Sequence, residues 1–480
     1  MNRKMVLYMT GQIVKLEAAL LLLPLSVAFG YGESCAWAFL ITIGVAVILG
    51  FSLSMPCKTD NQVIYAREGF AIVALAWIVL SAIGALPFVL SGEISSYVDA
   101  FFETVSGFTT TGASILTDVE AMSRGLLFWR SFTHWIGGMG VLVLIMAILP
   151  TASGRSIHIL RAEMPGPVVG KLVPKVKDTA KILYLIYIVL TILEIVFLLF
   201  GGMPLFESVV HAFGTAGTGG FGVKADSIAG YNAYLQWVIT IFMILFGINF
   251  NLYYLLLIRR FRSVLKSGEL WCYLGIIAFS IGAITVNISS LSNSIAEAVR
   301  LSAFQVASIV TTTGYATADF NLWPEFSKGL LFLLMFIGAC AGSTAGGLKV
   351  SRIMLLFKSI RRELRRMLHP RSVGVVQMEG KRVEDLTLNG VSTYFALYAF
   401  IFVFVFLILC LEPFDLETNI TATAACFNNI GPGLGMVGPA ASYAGYSALS
   451  KVVLSIAMLL GRLEIYPILL ALSPSTWAKK

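Results

Sequence analysis

Thr109-Thr110-Thr111-Gly112 sits inside SGFTTTGAS (residues 106–114), a polar interruption in a chain that otherwise reads as apolar helix. Three further stretches ending in glycine do the same: Ala216-Gly217-Thr218-Gly219, Thr311-Thr312-Thr313-Gly314 and Asn428-Asn429-Ile430-Gly431. Any one of them alone reads as a loop, in a chain with 44 glycines. Their recurrence, at intervals of roughly a hundred residues, marks an internal four-fold array. Within a membrane, irregular backbone survives only where protein buries it or where it lines a water-filled cavity. Four glycine-ended loops around one axis therefore predict a selectivity filter built from a single chain.

The surrounding composition is that of a polytopic membrane protein. The 480 residues are 58% hydrophobic and 12% charged, with a mean hydropathy of +0.85; a soluble domain carries about 25% charge. At about 20 apolar residues per span, ten spanning helices are expected. They lie near 10–30, 36–56, 68–91, 125–149, 179–201, 233–258, 269–290, 328–356, 390–411 and 447–471. The first has the outline of a signal peptide, with Arg3 and Lys4 ahead of an apolar run. Lys15 and Glu17 split that run, so a retained helix is expected.

A net charge of +8 suggests nucleic acid only until the charges are placed. Arg3, Lys4, Lys58, Arg67, Arg155, Arg161, Lys171, Lys175, Lys177, Lys181, Arg259 to Lys266 and the Lys358–Arg371 cluster fall in alternate loops. The intervening loops are acidic, with Glu93, Asp99, Asp118, Glu207, Asp226, Asp319 and Asp415. The positive-inside rule puts the basic loops and both termini in the cytoplasm, and the four glycine stretches on the outer side. Topology and lipid headgroups account for the basic loops, with 358–388 open equally to lipid and to docking of a cytosolic regulator, and no nucleic-acid partner is expected. Six cysteines without a CxxC pair form neither a disulfide framework nor a metal site.

Each glycine stretch follows a segment too short to cross a membrane: Tyr97–Phe108, Leu205–Thr215, Ile295–Val310 and Leu416–Phe427. Each is preceded by an outward span and followed by an inward one, so the units are parallel. Inverted repeats mark many secondary transporters; parallel ones favour a channel-like pore. A half-helix entering from outside points its C-terminal end, about half a negative charge, at the membrane centre. The loop then offers carbonyl oxygens in place of a cation's water, and glycine keeps side chains out of the lumen. The ion-binding candidates are Thr110, Thr111, Gly112, Thr218, Gly219, Thr312, Thr313, Gly314, Asn429, Ile430 and Gly431. Only the glycine recurs strictly, and the long TVGYG ladder is absent, so weaker discrimination among alkali cations is expected.

Further along, Gly338-Ala339-Cys340-Ala341-Gly342-Ser343-Thr344-Ala345-Gly346-Gly347 interrupts a span. Each interior glycine costs a helix about 1 kcal/mol relative to alanine. The run either unwinds across the pore or packs closely against a neighbouring helix, and Lys349 and Arg352 mark the cytoplasmic boundary beyond it. Arg462, inside the last span, must face protein or water. It either raises a barrier to cations and anchors the 338–347 loop, or pairs with a buried acid such as Glu194. Glu464 needs a partner of its own. GGMG (137–140) follows no strand, so it reads as close helix packing rather than a phosphate loop.

The set SGFTTTGAS, GTGGF (217–221), TTTGYATADF (311–320), FNNIGPGLG (427–435), GACAGSTAGGLKVSR (338–352), HWIGGMGVLVL (134–144), FGINFNLYY (246–254) and GRLEIYPILL (461–470) resembles the Trk/Ktr/HKT superfamily of potassium-uptake proteins, specifically its TrkH-type membrane subunits. The resemblance implies an all-α polytopic protein with four parallel helix–pore loop–helix repeats around a pseudo-four-fold axis. Its divisions are an N-terminal helix pair at 1–66 and repeats at 67–155, 156–266, 267–388 and 389–480. It implies potassium as the transported ion, at Thr111, Thr218, Thr313 and Ile430, and no bound organic cofactor. It implies a gate at Gly338, Gly342, Ser343, Thr344, Gly346, Gly347 and Arg462. It also implies a homodimer in the bacterial inner membrane, with a TrkA-type cytoplasmic subunit binding NAD(H) or ATP/ADP. AGTGGFG, and Asn428-Asn429 in place of threonines, depart from the family pattern. Ion-coupled uptake by the same fold competes with passive conduction, and the lack of an obvious relay acid favours a gated channel. A membrane enzyme on a lipid-linked substrate would need clustered acids or histidines, which the spacing does not supply.

Overall fold

The computed structural model describes residues 2–57, 66–140, 176–371 and 374–477. The chain opens with α1 (Arg3–Leu20) and α2 (Leu22–Tyr31), which form one apolar stretch, and returns through α3 (Ala36–Ser54). Where α1 crosses α3, a Cβ on Gly11 would stand 2.8 Å from the Gly50 carbonyl oxygen. Small residues at a crossing let backbones approach closely, the main source of helix association in lipid. Lys15 lies 4.1 Å over the Phe51 ring, which accommodates its charge on an apolar helix.

A long helix, a short helix, a glycine stretch and a further helix then follow one another four times, the last of these being broken in the second, third and fourth sets. The first set is α4 (Ala66–Gly84) with the short α5 (Leu86–Leu90), α6 (Tyr97–Phe108) and α7 (Arg124–Gly138). The second is α8 (Val176–Phe200), α9 (Leu205–Gly217), then α10 (Ala233–Phe246), α11 (Phe250–Leu257) and α12 (Phe261–Leu265). The third is α13 (Gly268–Ile288), α14 (Ile295–Val310), α15 (Glu325–Met335) and α16 (Val350–Leu368), with a hairpin of β1 (Gln377–Met378) and β2 (Lys381–Arg382). The fourth is α17 (Asp385–Leu409), α18 (Leu416–Phe427), α19 (Ala448–Arg462), α20 (Tyr466–Leu472) and α21 (Pro474–Trp477).

The short helices begin and end where the sequence puts them, except that α9 runs on to Gly217. Their starts are capped: Ser96, Ser294 and Asp415 accept hydrogen bonds from the main-chain N–H of Asp99, Glu297 and Thr418. Such a cap satisfies a donor that the first turn leaves free, worth about 1 kcal/mol.

About ten spans are expected from the sequence, with an interruption at 338–347. Among the described residues six helices are long and apolar enough to cross, and α10 with α11 makes a seventh only across an 89° bend. The deficit falls on the helices that follow the glycine stretches, because each of them stops early. α7 stops at Gly138, α10 at Phe246, α15 at Met335 and α19 at Arg462. Left-handed backbone at Glu464 (φ 57°) and Ile465 (φ 65°) breaks the last of these. The remainder of the 125–149 span, with Lys58, Arg155, Arg161, Lys171 and Lys175, lies outside the described residues.

Candidate functional site

All four short helices end in the same way. Their final carbonyls accept hydrogen bonds of 2.8 Å from a residue of the following loop, Thr111 to Ser106, Gly219 to Gly214, Thr313 to Ser308 and Ile430 to Ala425. Between helix and loop, Thr110, Thr218, Thr312 and Asn429 adopt left-handed backbone, with φ of 55°, 58°, 57° and 56°. This is the Schellman ending, in which glycine is the usual left-handed residue. Threonine there carries strain on the order of 1–2 kcal/mol, held by the packing of residues that are 0% exposed.

Two positions beyond each left-handed residue stands a glycine with φ of 77° to 97°: Gly112, Gly220, Gly314 and Gly431. The pattern corrects the register of the second stretch, since the counterpart of Gly112 is Gly220 and not Gly219. Gly219 instead matches Thr111, Thr313 and Ile430. The expectation at this level was Thr218, which instead shares its backbone conformation with Thr110, Thr312 and Asn429.

These glycines close a ring. A Cβ on Gly112 would collide with the carbonyl oxygen of Gly219, on Gly220 with that of Thr313, on Gly314 with that of Ile430, and on Gly431 with that of Thr111. Each stretch leans on the next, and the last leans on the first. Above the ring, all four glycines line one cavity of about 360 Å³, together with Arg130 and Lys224.

Side chains behind the ring hold it in place. Thr109 and Thr111 share a 2.8 Å hydroxyl contact, and Thr311 and Thr313 repeat it at 2.8 Å. The Asn429 amide donates to the Thr111 hydroxyl and to the Met458 carbonyl, both at 2.9 Å, tying the fourth stretch to the first. Tyr443 donates to the Gly431 carbonyl at 2.8 Å. Arg130 pairs with Glu103 at 2.6 Å in a buried contact, and Glu103 accepts from Ser114 and the Ile115 N–H just past the first glycine. His134 contacts the Gly107 carbonyl through Nδ1 at 2.8 Å, and its ring fills the space a Cβ on Gly219 would need. The GGMG glycines pack as expected: Gly137 lies against the Phe108 carbonyl and Gly138 against Gly217.

On the other side of the ring lies the irregular 338–347 run, unwound rather than helical. Gly346 N–H donates to the Thr312 hydroxyl at 2.7 Å, and the same glycine abuts Asn428 and Asn429. Cys340 N–H donates to the Gly247 carbonyl, Phe250 N–H to that of Gly342, and Ala341 N–H to Glu269 at 2.7 Å. Arg462 donates to the Thr344 carbonyl at 2.7 Å and to those of Gly137 and Gly138 at 2.7 and 2.8 Å. One guanidinium thus joins the run to the end of α7, the anchoring role among the two readings of Arg462. Lys349, expected at the cytoplasmic boundary, is enclosed by protein. It is 0% exposed and donates to the Ala345 and Gly346 carbonyls. Arg352 is buried as well and pairs with Glu464, the partner Glu464 was expected to need. Asn249 caps α11 through Asn251 N–H at 2.9 Å and lies against Gly342.

A sequence model of the TrkH family, described as a cation transport protein, matches residues 36–479. The chain belongs to that family. It is a family of transporters, not of enzymes, and of membrane proteins. The Trk system potassium uptake protein TrkH of Escherichia coli K12 is 36% identical over 484 residues, covering 99% of this chain and all of that one. The TrkH of Halomonas elongata is 33% identical over 484 residues, covering both chains in full. The crystal structure of the potassium transporter TrkH from Vibrio parahaemolyticus superposes with a TM-score of 0.89 at 33% identity, covering both chains completely.

Gly220 and Lys349 are what sequence reading missed in this TrkH-family chain. Gly220 is placed by counting from the left-handed Thr218, which only the backbone shows, and the three glycines in GTGG hide the register in the sequence. Glu17 and Glu194 are buried acids, 1% and 0% exposed, and neither lines the cavity above the ring.

Proposed function

We propose that the chain takes up potassium across the bacterial cytoplasmic membrane through a gated, cation-selective pore. Four parallel helix–pore loop–helix units, at 67–155, 156–266, 267–388 and 389–480, surround a pseudo-four-fold axis, and 1–66 packs outside them. Thr111, Gly219, Thr313 and Ile430 turn their carbonyls to the ion, with Gly112, Gly220, Gly314 and Gly431 above. Thr110, Thr218, Thr312 and Asn429 lie on the inner side of this layer. The closed cycle of glycine-to-carbonyl contacts carries this reading, because a ring of main-chain oxygens is what replaces a cation's hydration shell. Four short-helix C-termini facing the same centre add about half a negative charge each.

The 338–347 run, with Arg462 and Lys349, is the gate. It sits between Thr312, just past α14, and the break in the last span; its bonds reach the second, third and fourth units, and Arg462 links it to the first. Alternate-loop charge puts both termini in the cytoplasm. By likeness to the Trk systems named above, the protein works as a homodimer with a TrkA-type nucleotide-binding subunit, and it needs no organic cofactor of its own.

Rubidium or potassium flux into liposomes holding the purified protein tests the filter. Gly314→Ser places a side chain against the Ile430 carbonyl and should abolish flux while the protein remains monodisperse. Unchanged flux would remove the ring from the conduction path.

A further inference from the structure

Beyond the gate, α16 carries Lys358, Arg361, Arg362, Arg365 and Arg366. Beside them Phe357, Ile360, Leu364 and Met367 recur at helical spacing, 68%, 49%, 57% and 76% exposed. An exposed apolar stripe flanked by Arg and Lys suits the boundary between acyl chains and headgroups.

Two contacts fix the depth of this helix. Arg362 Nη1 meets Asp385 Oδ1 at 2.6 Å, and Asp385 is the first residue of the spanning helix α17. Ser267, the cap of the spanning helix α13, donates to Glu379 of the hairpin at 3.0 Å. Leu355, Val376, Leu388 and Val391 bury one another between α16, the hairpin and α17. α16 is therefore pinned where two spans begin, which is where hydrocarbon gives way to headgroups.

At that level Lys358, Arg361, Arg362, Arg365, His369 and Gln377 line a cavity of about 660 Å³. Lys358 is held by the Gln377 carbonyl at 2.8 Å. The nearby acids, Glu363 and Asp385, pair with Arg362. Arg361 and Arg365 form no ion pair among the described residues, so the cavity keeps a net positive charge. A free phosphate would need no apolar stripe alongside, and a lipid does. We propose that this cavity binds the phosphate of an anionic phospholipid, whose acyl chains lie along the Phe357–Met367 stripe. The site is independent of the pore reading, and its test requires no transport.

Native mass spectrometry of the purified full-length protein, titrated with phosphatidylglycerol or with phosphatidylcholine of the same acyl chains, reads the site directly. The wild type should retain phosphatidylglycerol in several-fold excess over phosphatidylcholine. Arg361→Gln with Arg365→Gln should bring that ratio close to one, and Arg361→Lys with Arg365→Lys should keep most of it. Equal retention of the two lipids by the wild type, or an undiminished preference in the glutamine variant, would overturn the proposal. So would ATP or inorganic phosphate displacing bound phosphatidylglycerol at millimolar concentration, which assigns the cavity to a soluble anion. Ready disulfide formation between two copies carrying Leu364→Cys in phosphatidylglycerol bilayers would assign the stripe to a second chain and likewise overturn it.

Discussion

At the scale of single residues, the ring turns on where a Cβ is tolerated. Gly220 has φ 77° and faces the Thr313 carbonyl, whereas Gly219 faces the imidazole of His134. Gly220→Ala therefore disturbs the ring itself and should cut potassium flux by roughly tenfold or more, a barrier rise of about 1.4 kcal/mol. Gly219→Ala pushes on a side chain and should act mainly through His134. Combining it with His134→Ala should recover flux, and the same combination with Gly220→Ala should not. A cation-flux assay on the four variants distinguishes the two registers. The sequence leaves this register ambiguous because glycine runs carry no side-chain pattern to count from. Thr110, Thr312 and Asn429 were legible only as neighbours of a conspicuous glycine; their left-handed backbone follows from how a helix terminates.

The elements themselves were legible to different degrees. The short helices came through almost to the residue, since a capping Ser or Asp opens three of them and a Thr or Asn closes all four. The broken spans did not, because an unwound segment such as 463–465 is as apolar as the helix around it, and hydropathy does not sense dihedrals. What holds such breaks together is polar. Arg462→Gln removes donors to Thr344, Gly137 and Gly138 and should raise flux measured without any regulatory subunit; deletion of 341–346 should do the same. Unaltered flux in both would leave the loop without a gating role. Arg352 and Glu464 brace the same region, with side chains 7% and 19% exposed. Arg352→Met leaves Glu464 without its partner and should cost about 3 kcal/mol, most of it regained when Glu464→Leu is added. Thermal unfolding in detergent measures both steps.

On the scale of the whole molecule, three different sequences serve the four places of one ring, and the likeness lies in main chain rather than side chain. TTT, GTG, TTT and NNI precede the four glycines once the second stretch is shifted by one. Thr109–Thr111 and Thr311–Thr313 support opposite members of the ring with hydroxyl pairs, and the other two stretches use different side chains. Unequal supports give unequal carbonyl positions, so the potassium-over-sodium permeability ratio should fall below that of a symmetric TVGYG channel. Reversal potentials or paired isotope fluxes in the same liposomes check this, and a ratio as high as that of such a channel would contradict it.

The contact between Gly431 and the Thr111 carbonyl has a consequence for biosynthesis. A ribosome delivers Thr111 early and Gly431 only near the end of translation. Until then the first loop has a neighbour on one flank and none on the other. Chains cut short before α18 should be inserted yet leave that loop open to proteases, a defect that a separately expressed 389–480 fragment should repair.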